Sequence, residues 1–297
     1  MSGQETSRLD SLPADKRALF LKLRAERDRR ADHPPVPLRP GSGPARLVLL
    51  PPSGGALFCY TPLVRALRDD IDVIGFAADP GDHDLELRER LGIVADRVLA
   101  SLARVADPGS CLLAGWSHGG VLAFEMARRH AAAGGTAPHV VLIDCVYLGD
   151  RPLEDESRLR RRFLYDLIRV AGLDDAAYNT AIEAHDPDRD GLRPCLTAAG
   201  VEITLTDAEL TERYRIFRDC SLGLQAYAPP APYAGDITLV VTQLADAIER
   251  RWTAVVTGRK RTVRVPGDHF TLFRPPVLAT VAGEIEAAAG PAPAASR

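Results

Sequence analysis

Cys111-Leu112-Leu113-Ala114-Gly115-Trp116-Ser117-His118-Gly119-Gly120-Val121-Leu122-Ala123-Phe124 is the stretch whose reading decides the fold. It opens as an unbroken apolar run at 111–115, the pattern of a strand buried on both faces, and turns at once into a helical pattern over 118–133. The join carries G-x-S-x-G. In a sharp strand-to-helix turn the serine hydroxyl is lifted clear of the backbone. Glycines two positions to either side remove side chains that would strike the neighbouring strand and helix. The helix that starts there also aims its free N–H groups at any negative charge developing beside the serine. Ser117 is therefore a candidate nucleophile.

Working outward, the same alternation continues. Apolar runs at 47–50, 71–76, 140–143, 237–242 and 262–265 predict strands, and segments near 58–67, 85–105 and 275–289 predict helices. Strands alternating with helices predict an α/β fold, a mostly parallel sheet covered on both faces. The alternation breaks between 149 and 232, where helical segments near 154–171, 179–184 and 206–224 replace it. Thr206 and Glu209 have capping-box spacing, which gives the last of these a defined start. This block reads as a lid inserted into the sheet. At the N-terminus, 12–30 predicts an amphipathic helix. Five prolines and two glycines between His33 and Pro44 predict a linker that no regular element tolerates. The expected organisation is a helix and linker over 1–44, an α/β domain over 45–289 with the lid at 149–232, and a disordered tail over 290–297.

At 297 residues the chain can bury a large core. Lys plus Arg (37) nearly balance Asp plus Glu (40), so no basic footprint for nucleic acid exists. Neither a signal peptide nor the roughly 20 apolar residues of a membrane span is visible, and the chain reads as cytoplasmic, with no nucleic-acid or membrane partner. Five scattered cysteines fit neither a disulfide framework nor a metal knuckle, so no metal or cofactor is expected.

A serine hydroxyl at neutral pH needs a base, and the base needs an orienting acid. His269, in the loop Gly267-Asp268-His269-Phe270 after the last strand, follows the serine in the order usual for this fold. His33 and His185 lie in polar segments, His83 in a turn, and His130 and His139 at element ends. His118 adjoins the serine, but its side chain leaves on the helix side. For the acid, Asp144 closes the strand at 140–143, and Asp246 follows the strand at 237–242; both ends face the same sheet edge. Asp144 would be held rigidly by its strand, whereas Asp246 opens a polar stretch with Glu249, Arg250 and Arg251. An oxyanion hole would take the backbone amides of His118 and of Ser53, the latter in Pro51-Pro52-Ser53-Gly54-Gly55 after the first strand of this core.

Four segments carry a family resemblance: LVLLPPSGGALFCYTPL at 47–63, AGWSHGGVLAFEM at 114–126, VVLID at 140–144 and VPGDHFTLF at 265–273. They resemble the type I thioesterase domains of nonribosomal peptide synthetases and polyketide synthases, members of the α/β-hydrolase superfamily, over about 46–288. The 27-residue interval from Ser117 to Asp144 is similar to that family's serine-to-aspartate interval, which favours Asp144 over Asp246. The tryptophan before the serine and the Gly-Gly after His118 look more like chain-releasing domains than stand-alone editing enzymes.

The resemblance implies an acyl-O-serine intermediate, taken from the phosphopantetheine arm of an acyl or peptidyl carrier protein and released by hydrolysis, cyclisation or transfer. It implies a small-molecule acyl thioester as substrate and, within the lid, an acyl pocket that Phe163, Leu167, Tyr214 and Phe217 would line unless they form only the lid's own core. Arg158, Arg160, Arg161 and Arg162 could meet a phosphate or an acidic carrier, or form a solvated helix face. No carrier domain precedes the hydrolase region, so the expectation is either a protein acting in trans or an excised terminal domain. The competing readings are an editing thioesterase, an acyltransferase between carriers, a generic esterase, and a non-catalytic protein of the same fold.

Overall fold

The computed structural model describes residues 33–149, 152–243 and 245–291. The predicted helix at 12–30 and most of the predicted tail lie outside the described residues. The strands are β1 (Val36–Arg39), β2 (Arg46–Leu50), β3 (Asp72–Gly75), β4 (Leu112–Trp116), β5 (Val140–Ile143), β6 (Ile237–Val241) and β7 (Lys260–Arg264). They form one sheet in the order β1-β3-β2-β4-β5-β6-β7, parallel throughout except for β1.

The strand β1 corrects the linker expectation. It pairs antiparallel with β3 at the sheet edge, where Pro37 lacks only a donor that an edge strand can do without, and a register shift falls between Pro37 and Arg39.

Successive side chains of the central strands point to opposite faces and build two separate cores. Val48, Leu50, Leu113, Val140 and Leu142 join one with Phe124 and Trp252. Leu47, Leu49, Leu112, Val141 and Ile143 join the other with Tyr60 and Ile285. Burial on both faces is why these strands read as continuous apolar runs rather than as alternating ones.

The helices outside the insert are α1 (Thr61–Ala66), α2 (Leu87–Leu102), α3 (His118–Ala132), α8 (Ala245–Val255) and α9 (Val277–Ala289). The helix predicted near 58–67 begins instead with a short 3-10 turn at Phe58–Tyr60. Between β5 and β6 stand α4 (Glu156–Val170), α5 (Asp175–Ala184), α6 (Leu192–Ala198) and α7 (Asp207–Ala226), packed around their own apolar core. Thr206 and Glu209 form the expected capping box at the start of α7. The helix α6 was not foreseen; Gly191 stands at its N-cap and Pro194 in its first turn, where a proline is tolerated because those N–H groups lack intrahelical partners anyway.

Candidate active site

Register decides which residues meet. Trp116 pairs with Ile143, and Ile143 with Val240. The carboxyl ends of β4, β5 and β6 therefore lie level, and the next residues, Ser117, Asp144 and Thr242, share one edge.

Ser117 has φ 58° and ψ −128°, a conformation that costs a non-glycine residue about 1–3 kcal/mol and persists only where the surroundings impose it. Here they do. The Ser117 amide donates to the Ile143 carbonyl (3.0 Å), and its carbonyl accepts from the Gly120 amide (3.1 Å). A Cβ on Gly115 would lie 2.1 Å from the Gly119 carbonyl carbon, and one on Gly119 would lie 2.2 Å from the Leu50 carbonyl oxygen. These are backbone contacts, so the expected steric reason for both glycines holds. Behind the turn, the buried Tyr60 hydroxyl accepts from the Trp116 amide (2.8 Å) and donates to the Leu50 carbonyl (2.7 Å), clamping β4 to β2 just before the serine.

Asp144, also at positive φ (45°), is 9% exposed. Its Oδ1 accepts from the Thr242 amide (2.8 Å) and hydroxyl (2.9 Å), and its Oδ2 lies 2.7 Å from His269 Nδ1. Burial alone would raise its pKa, but the hydrogen bonds from His269 and Thr242 outweigh it and hold the carboxyl below its ordinary value. A carboxylate on Nδ1 makes Nδ1 the protonated ring nitrogen and leaves Nε2 as the acceptor.

The loop carrying His269 is tied at both ends. Gly267 supplies φ 96°, the Asp268 amide donates to Thr271 Oγ1 (2.8 Å), and the Phe270 amide donates to Asp268 Oδ1 (2.9 Å). The His269 ring lies 4.9 Å from the Trp116 ring, centroid to centroid. From the insert, Arg169 on α4 pairs with Asp268 and lies over the Phe270 ring.

An open cleft has Ser117, Asp144 and His269 in its wall, with Ser53, Trp116, Phe217, Asp166 and Phe270 around them. Phe163 and Leu167 line a narrow adjoining groove that shares Pro52, Trp116 and Asp166 with it. Tyr214 is placed otherwise: its ring packs on Phe163, and its hydroxyl donates to Glu156 Oε1 (2.8 Å), within the insert's own core.

His118 keeps its amide at the first position of α3, while its buried ring turns to the Pro51 carbonyl and is held at a pKa of about 4 by burial. That ring lines a separate cavity with His33, Asp82, Arg90 and Asp219.

The other candidates are placed elsewhere. Asp246 is exposed and pairs with Arg264. His33, in a segment that reads as polar, is 2% exposed and meets Asp82 (3.1 Å), because β1 and its lead-in are packed onto the sheet edge. His139 bonds Thr238 (2.9 Å), and His185 faces Asp190 on the insert. The side chain of His83 lies outside the described residues. Arg160, Arg161 and Arg162 pair with Glu156, Asp186 and Glu154 of the insert region. Tyr60, Thr242, Asp166 and Arg169 had not been singled out from sequence.

A mostly parallel sheet with a strained serine at a strand-to-helix turn, and an Asp–His pair at the same edge, defines the α/β-hydrolase fold. The chain belongs to the thioesterase family: residues 45–288 match the thioesterase domain model. It is 29% identical to the pyochelin synthetase PchF of Pseudomonas aeruginosa over 80% of this chain and 15% of that one. It is 26% identical to a non-reducing polyketide synthase of Cladonia grayi over 69% of this chain and 8% of that one. The chain thus spans only a small part of these relatives' length. Among solved structures, a four-domain nonribosomal peptide synthetase aligns over 87% of this chain and 20% of its own, at 22% identity and TM-score 0.72. The NocB thioesterase domain, solved as a covalent complex with a fluorophosphonate nocardicin G analogue, aligns over 84% of this chain and 96% of its own, at 25% identity and TM-score 0.56.

Proposed function

We propose that this thioesterase releases an acyl or peptidyl chain from the phosphopantetheine thioester of a carrier protein, with Ser117 as nucleophile, His269 as base and Asp144 as the orienting acid. The 2.7 Å contact between His269 Nδ1 and Asp144 Oδ2, beside a serine held at positive φ, carries this reading. Ser117 Oγ attacks the thioester carbonyl and passes its proton to His269 Nε2. The tetrahedral oxyanion takes hydrogen bonds from the amides of Ser53 and His118, and its collapse expels the pantetheine sulfur, which receives that proton. Water, or an amine or hydroxyl, then loses a proton to His269 and attacks the acyl-serine ester, freeing Ser117. The helical insert serves as the lid. Phe217, Phe163 and Leu167 offer the acyl chain apolar surface, and Arg169 ties α4 to the loop of the base.

The test is turnover of acyl N-acetylcysteamine thioesters against aryl esters of the same acyl groups. A higher kcat/KM for the thioesters, with an acyl adduct on the wild type and none on S117A, supports the reading. A preference for aryl esters favours a generic esterase.

A further inference from the structure

Two carboxylates line the catalytic cleft. Asp144 is engaged by Thr242 and His269. Asp166 is not engaged in that way: among the described residues only the charges of His269 and Arg162 act on it, with no hydrogen bond from either. It stands on α4, in the wall of both the catalytic cleft and the adjoining apolar groove. A Cβ on Gly54 would lie 4.0 Å from Asp166 Oδ2, which puts the carboxylate over the loop that carries Ser53.

Around it are Phe163, Leu167, Trp116 and Cys59, whose thiol is pushed up to about 12 chiefly by its own burial and further by the Asp166 charge. The charged or titratable groups acting on Asp166 are His269 and Arg162. Arg162 is already committed to Glu154 (2.6 Å) and lies over the Phe217 ring. Arg213 stands across the groove. Burial raises the Asp166 carboxyl to about 6, against the attraction of His269 and Arg162, so at neutral pH the group is still largely ionised. An ionised carboxylate half-buried beside apolar side chains, with water as its only donor, is a cost to the free enzyme that a cationic donor would reduce.

We infer that Asp166 is a recognition site for an alkylammonium group carried either by the acyl chain, reaching along the apolar groove, or by an amine acceptor attacking the Ser117 ester. This rests on the proposed acyl-serine reading. In the acceptor case Asp166 holds the ammonium end, and the free amine end attacks, losing its proton to His269.

The experiment has two arms. In the first, kcat/KM is measured for an ω-aminooctanoyl N-acetylcysteamine thioester and for its uncharged nonanoyl counterpart. In the second, the enzyme acylated from the nonanoyl thioester is partitioned between water and either diaminopentane or pentylamine. The expected result is a preference of about tenfold or more for the amine-bearing partner in one arm, the size of a charge-assisted hydrogen bond, lost in D166N and retained in D166E. The arm that shows it identifies the source.

Because both substrates share His269, the ratio of their rates isolates Asp166. It should fall as pH drops through about 6, while the amines stay protonated. Equal rates in both arms, or a D166N effect that lowers charged and neutral partners by the same factor, overturns the inference. Failure of the nonanoyl thioester to acylate Ser117 would instead overturn the proposed function.

Discussion

Replacing Asp144 by Asn changes one atom, and the structure says which way the new amide faces. Thr242 N–H is a fixed backbone donor 2.8 Å from Oδ1, so the Asn oxygen must stay there. The flipped orientation loses that bond and sets donor against donor, at about 1–3 kcal/mol. The Asn NH2 therefore points at His269 Nδ1, 2.7 Å away in the parent, and makes that nitrogen an acceptor. The ring proton moves to Nε2, which can no longer take the proton of Ser117. In triads of this kind the wrong tautomer costs on the order of 10⁴ in kcat.

The assay is release of N-acetylcysteamine from an acyl thioester, followed with a thiol reagent, with circular dichroism to show that D144N is folded. Asp246, exposed and paired with Arg264, supplies the control: D246N should stay within about threefold of the parent, since an exposed ion pair contributes roughly 0–1 kcal/mol. A D144N enzyme within tenfold of the parent, or an equal loss in D246N, refutes the assignment of Asp144.

Three further outcomes follow from the same geometry. G119A should lose about 3 kcal/mol or more in urea denaturation, because its Cβ would meet the Leu50 carbonyl oxygen at 2.2 Å and neither backbone can step aside. Y60F should cost about 2 kcal/mol or more by leaving the Trp116 amide and the Leu50 carbonyl without their shared partner, measured the same way. For Asp166, a carboxyl raised to about 6 from 3.8 binds its proton more tightly when folded. Its stabilising effect is therefore present below about pH 4 and lost as pH rises to 6. D166N should then melt higher than the parent at pH 8 by about 3 °C, roughly 1 kcal/mol after allowance for solvent, and the gap should close at pH 4.

The serine turn, the Asp144 strand end and the His269 loop were legible because each is local: an apolar run, two glycines, a carboxylate at the end of four buried residues. Asp144 was preferred over Asp246 as a strand-end carboxylate, a preference that the interval similar to the family's strengthened, and the register of β5 against β4 and β6 brings Asp144 to the edge where His269 meets it. What escaped the sequence is what folding brings from afar. Tyr60 meets Trp116 across 56 residues, and Thr242 meets Asp144 across 98. Nothing in Val240-Val241-Thr242 marks the threonine as a ligand of a carboxylate.

Asp166 sits in Tyr165-Asp166-Leu167, where an acid on an amphipathic helix reads as solvated. Only the laying of α4 over the sheet edge encloses it. The strand β1 was missed because proline density argues for a linker, and the exception granted to edge strands cannot be read without knowing which strand is the edge.

Intact-mass analysis and peptide mapping after treatment with an alkyl fluorophosphonate test the central claim, that Ser117 is the nucleophile, most directly. The account predicts a single adduct on the peptide containing Ser117, none on S117A, and slow labelling of D144N. Full labelling of S117A, or an adduct mapped to any other residue, contradicts it.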